Sequence, residues 1–197
     1  VASCVTRDDN GVLTPANIDK FYYNNGHMQT HAGLPEPGMD LGLLDNAGLA
    51  AEIRNALGTD IWLAYSRPEM GGGVFTNAAN YALFLRKILN NQLFIAELLG
   101  SSPVCTNPDT CRDALYTPID GGQNWHYSIG HWVEDDPELG DGAYSSAGAF
   151  GFYPWIDKNR LWYGTISRLD PAIGGSGEAS ANCGALIRKA WSSGLAQ

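Results

Sequence analysis

Halfway along the chain the hydrophobic period changes, and this change limits the possible folds more than any other feature. Before about residue 100, apolar residues recur three and four apart. Leu49, Ile53 and Leu57 predict a helix over 49–57, stopped by Gly58. Tyr81, Phe84, Leu85, Ile88 and Leu89 form one apolar stripe behind Thr76, which predicts an amphipathic helix with Thr76 as its N-cap. A short apolar segment follows at 95–99. Beyond it the period is two. Tyr127, Ile129, His131 and Val133 alternate as a half-buried strand should. Residues 144–156 read as a glycine-interrupted aromatic strand, and 160–168 as a third strand behind a WIDKNR turn. A last helix begins near Ser180, with Cys183, Leu186, Ile187, Ala190 and Trp191 on one face. Consecutive antiparallel strands closed by a terminal helix give an α+β fold, an antiparallel sheet flanked by helices, rather than a doubly wound α/β one.

The connecting segments are turn-rich. The chain has 24 Gly and 10 Pro in 197 residues. Residues 1–20 are polar, with Thr14-Pro15 placed to open a short helix. Residues 33–48 hold four Gly and two Pro without a clear period, and 170–180 read as a Gly-rich loop. The formal charge is −9, with 12 Lys and Arg against 21 acids. No cationic footprint for nucleic acid or for an anionic membrane surface is present, and no apolar run reaches the roughly 18 residues of a spanning helix.

Cys105 and Cys111 bracket the turn-rich stretch CTNPDTC. A disulfide there is the expected state, with two loop thiols as the alternative, and it implies an oxidising, secreted or periplasmic location. No second Cys or His pair stands at zinc-finger spacing. Cys4 and Cys183 give no pairing argument, and Cys183 falls on the apolar face of the last helix, as a core residue would.

The simplest sites are missing. There is no Walker loop and no GxGxxG, so no nucleotide cofactor is expected. His27 and His31 stand four apart, but Met28 occupies the place of the zinc-protease Glu, so no metal is expected. The acidic run EDDPELGDG at 134–142 lacks the alternating ligands of a calcium loop and reads as a solvated hairpin. His126 and His131, on one strand, have opposite parity and point to opposite faces. The tryptophans at 125, 132, 155 and 162 read as core or pocket wall.

Three patches together resemble the β-lactamase-related serine hydrolases, the class C β-lactamase and penicillin-binding-protein-like esterases. GGGVFTNAANYALFLRKIL at 71–89 is similar to that family's glycine turn and following helix. YSSAGAFGFYPWIDKNRLWYGTISR at 144–168 resembles its two catalytic-face strands, with Ser146-Ala147-Gly148 standing where relatives carry Lys-Thr-Gly or His-x-Gly. Phe21-Tyr22-Tyr23-Asn24-Asn25 fits Phe-x-Tyr-x-Asn; Tyr22-Tyr23-Asn24 also spells Tyr-x-Asn, and Phe21 favours Tyr23. The resemblance covers most of 21–191. It implies a β-lactamase/transpeptidase-like domain over 1–197 and a small ester or amide substrate opened through an acyl-enzyme. A serine hydroxyl needs a nearby base to attack. The family supplies it with Ser-x-x-Lys on a helix and a tyrosine that relays the proton. The resemblance makes Tyr23 that tyrosine and gives Asn25 a substrate carbonyl or the lysine to hold. It puts Ser146 and Gly148 on the substrate-facing strand and makes the Ala149 amide an oxyanion donor.

The departures from this pattern are specific. The four lysines follow Asn17, Phe84, Trp155 and Leu186 at the third position before each, so no Ser-x-x-Lys exists here. Only about twenty residues precede Tyr23, where relatives carry many tens. LPEPGM at 34–39 stands for a Pro-Leu-Gly-Met-like turn that follows a longer helix in relatives. The chain is therefore expected to be the C-terminal part of a larger domain, incomplete at its beginning and near 31–35. The nucleophile would come from an N-terminal segment or a second chain. Ser146 in place of the triplet lysine favours an esterase or peptidase-like relative over a lactamase. The alternative is a non-catalytic protein of this fold used for binding or assembly.

Overall fold

The switch in period becomes a division between short helices and one extended sheet. The computed structural model describes residues 1–7, 12–119, 123–171 and 175–197; the middle of the Gly-rich stretch at 170–180 lies outside them. In chain order the elements are β1 (Phe21–Tyr22), α1 (Gly26–Gly33), α2 (Asn46–Leu57), β2 (Ala64–Tyr65), β3 (Val74–Phe75), α3 (Ala78–Leu89) and α4 (Ile95–Leu98). They continue with β4 (Val104–Cys105), β5 (Ala114–Tyr116), β6 (His126–Ser128), β7 (His131–Glu134), β8 (Ala143–Ser145), β9 (Tyr153–Ile156), β10 (Tyr163–Ile166) and α5 (Ser176–Ser193). Short 3-10 turns stand at Ala2–Cys4 and Pro15–Asn17. The chain forms two units. The first is Val1–Ile18 with Tyr23–Asn80, the second Asp19–Tyr22 with Tyr81–Gln197.

The first unit is built on Val1, Ala32, Leu41 and Leu49, with Leu44, Ile53, Tyr65 and Met70 packed around them. The predicted helix at 49–57 starts three residues earlier, because the Asp45 carboxylate accepts the Gly48 N–H at 2.8 Å, a cap worth about 1 kcal/mol. Gln29, fully buried, ties three segments together. Its amide donates to Val1 O (3.0 Å) and Pro68 O (3.1 Å) and accepts from Met70 N (2.9 Å). The cap of α3 is Asn77, not Thr76. Asn77 Oδ1 accepts the Asn80 N–H at 2.9 Å, while the Thr76 hydroxyl donates to Trp62 O at 2.8 Å.

The second unit is a helix–sheet–helix sandwich. Its six-stranded sheet has the order β10-β9-β8-β7-β6-β4, antiparallel throughout. The register places Tyr144, Ile156 and Tyr163 side by side on one face. There they meet Leu85 and Ile88 of α3, with Ala96 and Leu99 from α4 and its end. Tyr153 and Trp155 stand on the other face, under α5. The α+β class, with an antiparallel sheet and flanking helices, is therefore the observed one.

Two strands expected to be continuous are hairpins. Tyr127 and His131 are separated by a two-residue turn at Ile129 (φ 34°) and Gly130 (φ 81°), and Ser128 pairs with His131. A two-residue turn with both φ positive matches the natural strand twist. It also reverses the parity: His126 pairs with Val133 and Ser128 with His131, so the two histidines share a face instead of opposing one another. Residues 144–156 likewise fold back as β8 and β9, with Ser145 opposite Trp155. The strand next to β10 is thus β9, not the Tyr144–Ser145 segment, in the register Tyr163↔Ile156 to Ile166↔Tyr153.

Helix α5 packs by its small residues. A Cβ on Gly184 would lie 2.2 Å from Tyr153 Cε1, and one on Gly177 2.7 Å from Gly148 O. Only a face of Ser176, Gly177, Ser180, Ala181 and Gly184 comes this close, so the predicted apolar face points outward. Trp191 is 71% exposed, Leu186 53% and Ile187 43%, and Cys183 is exposed rather than core. Arg188 is the buried exception. It donates to Glu134 (2.6 Å), Asp141 (2.6 Å) and the Tyr153 hydroxyl, which itself donates to Glu134 at 2.5 Å.

Candidate functional site

The candidate residues fall into two groups, one in each unit. Tyr23 and Asn25 belong to the first. Tyr23 is half-buried just after β1, and Asn25 is the N-cap residue of α1. Its side chain does not cap the helix; the neighbouring Asn24 Oδ1 accepts the Gly26 N–H instead, at 3.0 Å. Asn25 leans against the glycine turn: a Cβ on Gly71 would come within 2.1 Å of Asn25 Oδ1 and 3.2 Å of Met28 Cε. Only glycine lets the two segments approach so closely. The turn is closed beside it by Ser66, whose N–H and hydroxyl both donate to Gly73 O, at 2.8 and 3.1 Å. His27 and His31 lie on α1, both exposed.

Ser146, Gly148 and Ala149 belong to the second unit and run out of β8 towards the hairpin tip. The ladder continues irregularly past the strand: Ser146 N donates to Pro154 O (3.2 Å) and Gly148 N to Phe152 O (2.9 Å). Gly151 N then closes a turn on Gly148 O at 2.9 Å, leaving Ala149 and Phe150 at the exposed tip. Two glycines make this tip possible. Gly151 has φ 92°, and a Cβ on Gly148 would lie 2.9 Å from Phe152 O. The Ser146 side chain is exposed, and the Ala149 N–H at the tip enters none of these ladder bonds. Such an amide can donate to an anionic oxygen; Ser146 carries an exposed hydroxyl three residues earlier in the same run.

Sequence reasoning missed the polar centre of the second unit. Glu134 and Arg188 are each 2–3% exposed. Burial raises the Glu134 carboxyl above its usual pKa, against the opposing pull of Arg188. Burial, and then the Glu134 charge, holds the Tyr153 hydroxyl protonated far above its ordinary range. Glu134 opens the run read as a solvated hairpin. The hairpin is real, but Glu134 and Asp136 are buried in it. Asp136 accepts the N–H groups of Asn124, Glu138 and Leu139, which lower its pKa. The one available signal was Arg188 amid small residues on the last helix. Glu134, Tyr153 and Arg188 are buried and serve the sheet–helix contact, while Asp141 meets Arg188 from the surface.

Cys105 and Cys111 are disulfide-bonded, with Cα atoms 6.2 Å apart. The loop they close is organised by Asn107, whose O accepts from Cys111 N at 2.8 Å and whose Oδ1 accepts from Asp109 N at 2.8 Å. Among the described residues no helix is long and apolar enough to cross a membrane, and no group of three metal-ligating side chains is assembled. No family model, no curated protein and no solved structure matches the chain.

Proposed function

We propose that the chain is the C-terminal part of a β-lactamase-related serine hydrolase with a β-lactamase/transpeptidase-like fold. It would cleave a small ester or amide in a secreted or periplasmic setting, with the Ser-x-x-Lys pair supplied from outside these 197 residues. The observation that carries this reading is the β8–β9 hairpin, which presents Ser146, the Gly148 backbone and the Ala149 N–H in succession at an exposed tip. In the reaction the serine Oγ attacks the substrate carbonyl and its proton passes to the Tyr23 phenolate, which the lysine of the supplied Ser-x-x-Lys pair would hold ionised. The collapsing tetrahedral oxyanion, held by the Ala149 N–H, expels the leaving group, which takes that proton. Water then opens the acyl-enzyme by the reverse route. One such amide donor contributes about 3 kcal/mol to the transition state. Asn25 orients the substrate carbonyl or the lysine, and Ser146 replaces the cationic first residue of the triplet, which suits an uncharged ester better than an anionic lactam.

The test joins a Ser-x-x-Lys segment to this chain and follows nitrophenyl ester turnover. Tyr23→Phe should lower kcat by about 10²–10⁴. An unchanged rate moves the relay to Tyr22 or removes the mechanism. The exposed Leu186, Ile187 and Trp191 favour the second reading, a non-catalytic binding or assembly protein; in that case the joined protein turns over no ester.

A further inference from the structure

Within the second unit, a cavity of about 180 Å³ lies between α3–α4 and the sheet face of Tyr144 and Ile156. Its walls are largely aromatic and aliphatic, with Tyr81, Phe84, Ile88 and Tyr144 prominent. A cavity of roughly 150 Å³ is enough to take up benzene. This one, partly open to solvent, therefore has room for one substituted six-membered ring. Ring walls favour an aromatic guest over an alkyl chain, because edge-to-face contacts add to burial; Tyr81 and Phe84 already meet edge-on, at 86°.

The rim is unusual. Ile129 occupies the first position of the β6–β7 turn at φ 34°, where Asn or Gly is the ordinary choice, and a β-branched residue there is strained. Ile129 lines the cavity and is still 52% exposed. Strain of this kind gathers where a fold holds a side chain ready for a ligand.

The polar groups select against charge. Among the described residues, no Asp, Glu, Lys or Arg lines the cavity. His131 is held neutral. Its Nε2 accepts the Gly100 N–H at 3.0 Å and its Nδ1 faces Ile129 O at 3.3 Å, which fixes the proton on Nδ1. Arg160, stacked over Tyr144 at 5.6 Å, is committed to Ala96 O and Leu99 O at 3.0 and 2.8 Å. Ser146 is the exposed hydroxyl among the lining residues.

We infer that this cavity is a binding site for a neutral, singly substituted or disubstituted benzene ring, entering beneath Ile129 with its polar substituent towards Ser146. The site shares Ser146 with the hydrolase reading but requires neither Tyr23 nor an acyl-enzyme, so either can fail without the other. The test titrates the isotopically labelled 197-residue chain with p-cresol and, separately, with benzoate, and follows backbone amides by NMR. Saturable shifts at Ile129, Gly130, His131 and Ser146 are expected, with benzoate at least tenfold weaker. Ile95→Trp, which fills the cavity from α4, should weaken p-cresol at least tenfold. Should its amide spectrum show that it does not fold, Ile129→Asn keeps the turn, removes the rim and should weaken binding at least threefold. The inference is overturned by an absence of saturable shifts, shifts clustered elsewhere, benzoate binding as tightly as p-cresol, or unaltered affinity in a folded variant.

Discussion

Gly184→Ala should destabilise the second unit although alanine is the better helix former. On an exposed helix the change would add about 1 kcal/mol of stability. Here the new methyl would sit 2.2 Å from Tyr153 Cε1 and 2.9 Å from Cδ1, so ring and helix must part by more than about 1 Å. The ring has nowhere to go. Tyr153 is fully buried, stacked on Trp155 at 5.3 Å, and its hydroxyl is held by Glu134 and Arg188. Overpacking of this kind costs about 1–3 kcal/mol, and stretching a hydrogen bond to a charged group adds about 1 kcal/mol or more. After the helix-propensity gain is subtracted, the net loss is about 2 kcal/mol, or about 4–8 °C in Tm for a chain of this size. Urea unfolding followed by tryptophan fluorescence reads it directly, because five of the six tryptophans, at 125, 132, 155, 162 and 191, belong to the second unit. Equal or greater stability would show that α5 does not pack on the sheet through its small face.

Two further outcomes concern the same unit. Replacing both Cys105 and Cys111 by alanine should cost about 2 kcal/mol, the chain-entropy value for a six-residue separation; reduction of the native protein should do the same, and an unchanged urea midpoint would contradict it. Burial lowers the His131 pKa, the Ile129 carbonyl opposes this, and Arg160 adds to it. The unfolded imidazole, near 6.5, therefore binds its proton first. Stability should be complete above about pH 6.5 and fall as pH drops through that value, until the folded imidazole protonates as well. His131→Gln should remove this part of the slope, and a slope of opposite sign would refute the assignment.

The parts of the fold legible in the sequence are those where period and burial agree. The α3 stripe is one: Leu85 and Ile88 are in the core, and Tyr81, Phe84 and Leu89 pack against it. Thr76 and Asn77 are equally good caps side by side, and only the Trp62 carbonyl, which engages the Thr76 hydroxyl, decides between them. The run from Tyr127 to Val133 keeps its alternation across a two-residue turn, so nothing in the pattern marks the reversal. In α5 the large apolar residues give the stronger signal, but the close approach of Tyr153 selects Gly184 and its small neighbours for the buried face. The Ser146-to-Ala149 run is readable as strand chemistry. Its exposure depends on Gly148 and Gly151 turning the chain, which strand periodicity does not encode. The partners of Glu134 were invisible, because Arg188 is 54 residues away.

A serine-reactive fluorophosphonate, applied to the protein from its natural source and followed by peptide mapping, tests the hydrolase reading most directly. The expected result is stoichiometric label on one serine of a Ser-x-x-Lys, outside the 197 residues described by the sequence. Label on a serine within them, Ser146 above all, or no labelled serine anywhere, would contradict it.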